Sequence, residues 1–172
     1  MVTSLYLFIY NPCIITIFWQ GIAIHSEKIH MQIPDISKEN ESLFRLLSES
    51  QSIAIVGLSP KKDRASNMVA RYLLAQGYRV YPVNPGQSEI LGQVCYADLA
   101  SLPHNIDIID IFRKSADVLA VVEQVVKLPK LPRAIWMQQG IINAEAAALA
   151  EKNGILVIMD RCIKIDHQNL LQ

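Results

Sequence analysis

The chain has 172 residues, 51% of them apolar and 19% charged, enough hydrophobic material for one packed domain and no sign of disorder. Lys plus Arg and Asp plus Glu both total 16, a formal net charge of zero, so the basic surplus of a nucleic-acid binder is missing. Cys13, Cys95 and Cys162 are odd in number and far apart, which argues against a disulfide framework or a C-x-x-C zinc site and for reduced thiols in a cytoplasmic protein.

Residues 1–30 stand apart from the rest. The stretch from Leu5 to Ile24 is strongly apolar and approaches the roughly 20 residues of a bilayer span. Asn11-Pro12 interrupts it, no Lys or Arg precedes it, and no small-residue cleavage site follows. The favoured reading is an apolar N-terminal extension ahead of a translation start at Met31, with the folded domain spanning 31–172. A membrane role rests on residues 5–24 alone and is disfavoured.

From Met31 the pattern is that of a globular domain. A helix starts at Asp35 or Ser37 and runs through Leu43, Phe44, Leu46 and Leu47. Ile53 to Gly57 is a buried strand, and Ser66 to Gln76 is a helix closed by Gly77. A second strand, Arg79 to Val83, is cut off by the turn cluster Asn84-Pro85-Gly86. A short strand at Gln93 to Tyr96 and a helical turn at Asp98 to Ser101 lead to a strand over Ile106 to Phe112. Asp117 to Val126 is helical and stops before Pro129 and Pro132. Ala134 to Met137 is a strand, Asn143 caps a helix through Lys152, and Ile155 to Met159 is the last strand, followed by a polar tail.

Strands alternating with helices imply right-handed crossovers and a doubly wound, mostly parallel sheet in a three-layer α/β/α sandwich. The continuous apolar runs fit strands buried on both faces. In such sheets ligands bind beyond the carboxyl ends of the strands, where the strand order reverses. Those ends are Gly57-Leu58-Ser59, Asn84-Pro85, Phe112-Arg113 and Gln138-Gln139-Gly140.

The first of these loops lacks both the G-x-G-x-x-G fingerprint and a Walker A sequence. Its single glycine still permits a tight turn into a helix whose free N–H groups attract an anion. Ser59, Arg64 and Ser66 add hydroxyls and a cation there, while Lys61 and Lys62 read as a solvated loop. An NAD site usually has an acidic residue about 20 positions past the glycine loop for the ribose hydroxyls. Here the second strand ends in Val83-Asn84-Pro85, with no acid, which suits a phosphorylated adenine nucleotide better. Phe112 and Arg113 offer an apolar surface and a guanidinium, against the plainer roles of core residue and surface ion pair. Trp136 reads as core, and Gln138 and Gly140 as lining the mouth.

Taken together, these segments resemble the small stand-alone CoA-binding proteins of bacteria. Their Rossmann-like domain is related to the CoA-binding domain of the succinyl-CoA synthetase alpha subunit. The matching words are Val56-Gly57-Leu58-Ser59-Pro60, Arg64-Ala65-Ser66, Gly77-Tyr78-Arg79-Val80, Pro82-Val83-Asn84-Pro85, Asp110-Ile111-Phe112-Arg113, Trp136-Met137-Gln138-Gln139-Gly140 and Met159-Asp160-Arg161-Cys162. They span about Ser42 to His167. The resemblance implies CoA or an acyl-CoA as ligand, its diphosphate at Gly57 to Ser59 and Ser66. It puts Asn84 and Pro85 beside the adenosine and Phe112 and Arg113 at the flanks of the nucleotide.

No Ser–His–Asp set, nucleophile elbow or paired metal ligands are recognisable, and the four histidines (His25, His30, His104, His167) fall in tails or a loop. The synthetase's phosphohistidine domain has no counterpart in this sequence, so ligase activity is not carried over. The expectation is a non-catalytic CoA-binding module, compatible with a protein partner or a homo-oligomer. The alternatives are an acyl-CoA-dependent enzyme or ligase partner subunit and, more weakly, an NAD(H)-binding redox sensor. Cys162 reads foremost as a packed thiol, with a mixed disulfide to CoA as the sharper alternative.

Overall fold

A computed structural model describes residues 36–172, His104 excepted. The apolar extension over residues 1–30, the start at Met31, and His25 and His30 lie outside the described residues. In chain order the elements are α1 (Ile36–Glu49), β1 (Ser52–Val56), α2 (Ala65–Ala75) and β2 (Arg79–Val83). A small hairpin of β3 (Glu89–Ile90) and β4 (Gln93–Val94) follows. Then come β5 (Ile108–Ile111), α3 (Val118–Val125), β6 (Ala134–Met137), α4 (Ala144–Lys152), β7 (Leu156–Ile158) and α5 (Ile163–Leu171).

Five parallel strands form one sheet in the order β2–β1–β5–β6–β7. The alternation of side chains along β1 builds two cores. Ile53 and Ile55 point into a layer with Leu43, Leu46 and Leu47 of α1, Leu73 of α2 and Ile163 of α5. Ala54 and Val56 point the other way, into a layer with Val118 and Val122 of α3 and Ala146, Ala147 and Ala150 of α4. Every residue of β1, β5 and β6 is buried, as a strand covered by helices on both faces requires. This is the Rossmann-like α/β fold expected.

Four local expectations are corrected. Residues Asp98 to Ser101 form turns rather than a helix, because the Asp98 carboxylate accepts from Ser101 N–H at 2.9 Å and Pro103 prevents continuation. The expected strand over Gln93 to Tyr96 is half of a hairpin: Leu91 and Gly92 both have positive φ, 57° and 72°, and fold Gln93–Val94 back on Glu89–Ile90. The polar tail is α5, whose Ile163, Asp166 and His167 are buried at helical spacing. His167 is therefore not a tail residue; it packs edge-on against Tyr72 and Tyr78 and hydrogen-bonds the Tyr72 hydroxyl through Nδ1. Phe44 turns off the buried stripe of α1 and is 44% exposed.

One buried polar pair interrupts the apolar interior. Asp110, on β5, is fully buried; its Oδ1 accepts from Gln138 Nε2 at 2.9 Å, and its Oδ2 has no partner. Burial pushes this carboxyl up to about 8, against the smaller opposing effect of the Gln138 hydrogen bond. The folded state therefore keeps the proton that an unfolded carboxyl sheds near pH 4. The stability this contributes is complete below about pH 4 and declines by about 1.4 kcal/mol per pH unit until the folded group ionises. Asp110→Asn removes the titration. Thermal melts from pH 5 to pH 8 should show the parent losing stability relative to the variant as pH rises, and a constant difference would remove Asp110 as the cause.

Candidate functional site

Strand order fixes where a site can form. The chain leaves β1 for β2 on one side, then crosses to β5 on the other, so the carboxyl ends of β1 and β5 diverge into a crevice. Gly57 follows β1 with φ of +86°, a conformation side chains rarely adopt. A Cβ there would lie 2.6 Å from the Phe112 carbonyl oxygen and 3.1 Å from Arg113 Cδ. The glycine is required by close approach of backbone to backbone as well as by φ.

The loop beyond it is held by side chains that turn inward. Ser66 Oγ accepts from Ser59 N–H at 3.1 Å, and Asn67 Nδ2 donates to the Ser59 carbonyl at 2.8 Å. Asn84 Nδ2 donates to the Leu58 carbonyl at 2.9 Å while its Oδ1 accepts from Gly86 N–H. Asn84 thereby stitches the end of β2 to the glycine loop. Leu58 is fully buried beneath it. Arg64 occupies the N-cap position of α2 in extended conformation, exposed and without a capping bond.

Above Gly57 lies a cleft of about 480 Å³, within the usual range for a small-molecule site. Of the expected residues it brings together Gly57, Asn84, Pro85 and Arg113. Leu58, Ser59, Arg64 and Ser66 belong to the adjoining loop and helix start and are not among the lining residues. Phe112 packs against the opposite core layer, the one containing Leu58 and Trp136. Gln138 is buried and turned to Asp110. Gly140 is exposed and donates to Asp160 Oδ1 at 2.6 Å. Cys162 starts α5, partly buried against the core, and does not line the cleft.

The far wall was missed at the sequence level. Ala116, Ala120 and Gln124 form one stripe at four-residue spacing across the 3-10 turn Ser115–Asp117 and α3, with Asp117 and Val121 beside it. Small residues at that spacing were the available signal. Ala97, Asp98 and Leu99 close the remaining side. Asp98 supplies a carboxylate that the end of β2 lacks, brought in by the segment after the hairpin. The Ser101 N–H it accepts holds that carboxyl below the usual range. Among the described residues no three His, Cys, Asp or Glu are grouped to hold a metal, and no helix is long and apolar enough to cross a membrane.

A family model described as a CoA binding domain matches residues 51–168, from the start of β1 through most of α5. The chain belongs to that CoA-binding family. Its relatives include the uncharacterized protein YneT of Bacillus subtilis, 38% identical over 122 residues and covering 71% of this chain and 89% of YneT. A solved structure, a hypothetical protein from Pyrococcus horikoshii OT3, superposes with a TM-score of 0.74 at 37% identity, covering 77% of this chain and 92% of the other. The ADP-forming acetate–CoA ligase I of Archaeoglobus fulgidus is 29% identical over 119 residues, which are 64% of this chain but 17% of the ligase. The relationship to such ligases is thus confined to a fraction of their length.

A side chain at the crevice floor must displace backbone. Gly57→Ala should destabilise the domain by about 1–3 kcal/mol, the usual scale for enforced backbone strain. Denaturant unfolding measures this, and a loss no larger than that of an Ala substitution at exposed Gly154 would show that the close approach relaxes freely.

Proposed function

We propose that this protein binds CoA or an acyl-CoA, seating the ADP–diphosphate part in the cleft at the switch between β1 and β5. The observation that carries the reading is the cleft of about 480 Å³ beside Gly57, in which Arg113 is the cation among the lining residues and Pro85 and small side chains form the walls. The residues fit such a ligand. The guanidinium supplies a fixed cation for phosphate. Pro85, Ala116, Ala120 and Val121 offer a flat, small-residue wall for a nucleobase, and Asn84 stands at the ribose end. The pantetheine arm would leave through the open side of the cleft toward solvent.

The chain's own residues bind and orient in this scheme; none of them carries a bond-making step. The cleft joins no nucleophile to a base, since its titratable groups are Arg113, Asp98 and Asp117. Binding without turnover is the function we infer, in a soluble setting such as the cytoplasm. The kinship with part of the Archaeoglobus ligase supports one second reading, that the module serves a separate catalytic partner.

Thermal melting tests the proposal. CoA at a hundred times its dissociation constant should add about 2.7 kcal/mol of stability, a rise of several degrees. Arg113→Ala should cut that rise by at least half, while NAD should give a smaller shift than CoA. An NAD shift exceeding that of CoA, or equal CoA shifts for parent and variant, would overturn the assignment.

A further inference from the structure

The charges of the cleft are arranged against the anion it is proposed to take. Among its lining residues Arg113 is the only cation, and Asp98 and Asp117 are both carboxylates. Asp98 is engaged in its own turn through Ser101 N–H at 2.9 Å. Asp117 is not so engaged: its Oδ2 lies 3.5 Å from Arg113 Nη2. It ends the 3-10 turn Ser115–Asp117 in helical conformation directly before α3, and its side chain makes no capping hydrogen bond. The carboxylate faces the guanidinium across one helical turn. Both side chains of the pair are about half exposed, at 49% and 45%, so the pair is weak and readily exchanged. The Arg113 stem passes beside Gly57, its Cδ 3.1 Å from where a Cβ on that glycine would stand, and the half-exposed guanidinium has room to exchange partners.

We propose that Asp117 is a built-in counter-ion that occupies Arg113 until a phosphate with further contacts in the cleft displaces it; this rests on the CoA reading of the site. A small free anion has only Arg113 to gain and meets a guanidinium already neutralised. CoA gains the nucleobase wall as well, and can take the guanidinium over. The displaced carboxylate remains close and repels the bound phosphate, which lowers affinity and keeps occupancy responsive to concentration. Asp117 is thus a selectivity residue: it excludes inorganic phosphates at the cost of tight binding.

Calorimetry on the full chain tests this with three probes, CoA, inorganic pyrophosphate and adenosine, and two variants, Asp117→Asn and Asp117→Ser. The Asp117 side chain makes no hydrogen bond to the end of the helix, so neither replacement removes a cap from α3. Both variants should bind CoA about threefold more tightly and acquire measurable pyrophosphate binding, with adenosine unchanged. Unchanged CoA and pyrophosphate affinities in both variants, with CoA bound by the parent, would overturn the counter-ion role and leave the CoA reading standing. Equal tightening for adenosine and CoA would overturn it too, since the effect would not be electrostatic. Absence of CoA binding in parent and variants alike would overturn both.

Discussion

The contact between the backbone at Gly57 and the Phe112 carbonyl constrains everything else about this protein. Two parallel strands, β1 and β5, run side by side and end together, and the chain must leave them in different directions. At β1 it turns within one residue, at φ of +86°, and a Cβ there would stand only 2.6 Å from the Phe112 carbonyl oxygen. The crevice is the consequence of that divergence, and its floor is bare backbone because the approach leaves no room for side chains. The Gly57 N–H is spent on the Val83 carbonyl at 2.9 Å, which leaves the charge of the site to the side chains of Arg113, Asp98 and Asp117.

The walls show how such a bare loop keeps its shape. Ser66, Asn67 and Asn84 spend their side-chain hydrogen bonds on the backbone of Leu58 and Ser59. These polar residues are scaffold, and that changes how they are to be weighed as ligand contacts. A residue whose hydroxyl already accepts a buried N–H is costly to remove for structural reasons alone. Loss of binding on mutating Ser66 would therefore say little about direct contact, whereas Arg113 and Asp117 are half exposed and report on the cleft more cleanly.

Much of the fold was legible because the strongest periodicities are also the best buried. Ile53 to Val56 and Ala134 to Met137 are continuous apolar runs, Ile108 to Ile111 is broken only by Asp110, and each is a fully buried stretch of strand. The Asn143 cap was readable from residue type alone, and its Oδ1 accepts from Ala146 N–H at 2.8 Å. The errors have two causes, local backbone turns at Leu91-Gly92 and Asp98–Ser101 and, in the last helix, polar residues with tertiary partners. The last helix looked like a tail because Asp166 and His167 interrupt its apolar stripe, yet Arg161 holds Asp166 through two hydrogen bonds and Tyr72 meets His167. The site divided in the same way. The strand ends were visible as Gly57, Asn84, Pro85 and Arg113, but the opposite wall is built from alanines and a loop carboxylate that carry no motif.

Gln138 shows why convergence at a sheet edge is not the same as membership of a site. It follows β6 at the level where ligands bind, and on that ground it was expected at the mouth. Its amide instead donates to Asp110 inside the sheet layer, on the side away from the cleft wall formed by α3. A neutral carboxylic acid and an amide in that position tie β5 to β6 just below Phe112, the residue whose carbonyl bounds Gly57. The buried pair and the bare loop are thus two ends of one arrangement. Asp110 and Gln138 join β5 to β6 two residues before Phe112, whose carbonyl meets Gly57. A site built on backbone proximity depends on such supports more than on the residues that face the ligand, because nothing at the floor itself can be adjusted by a side chain.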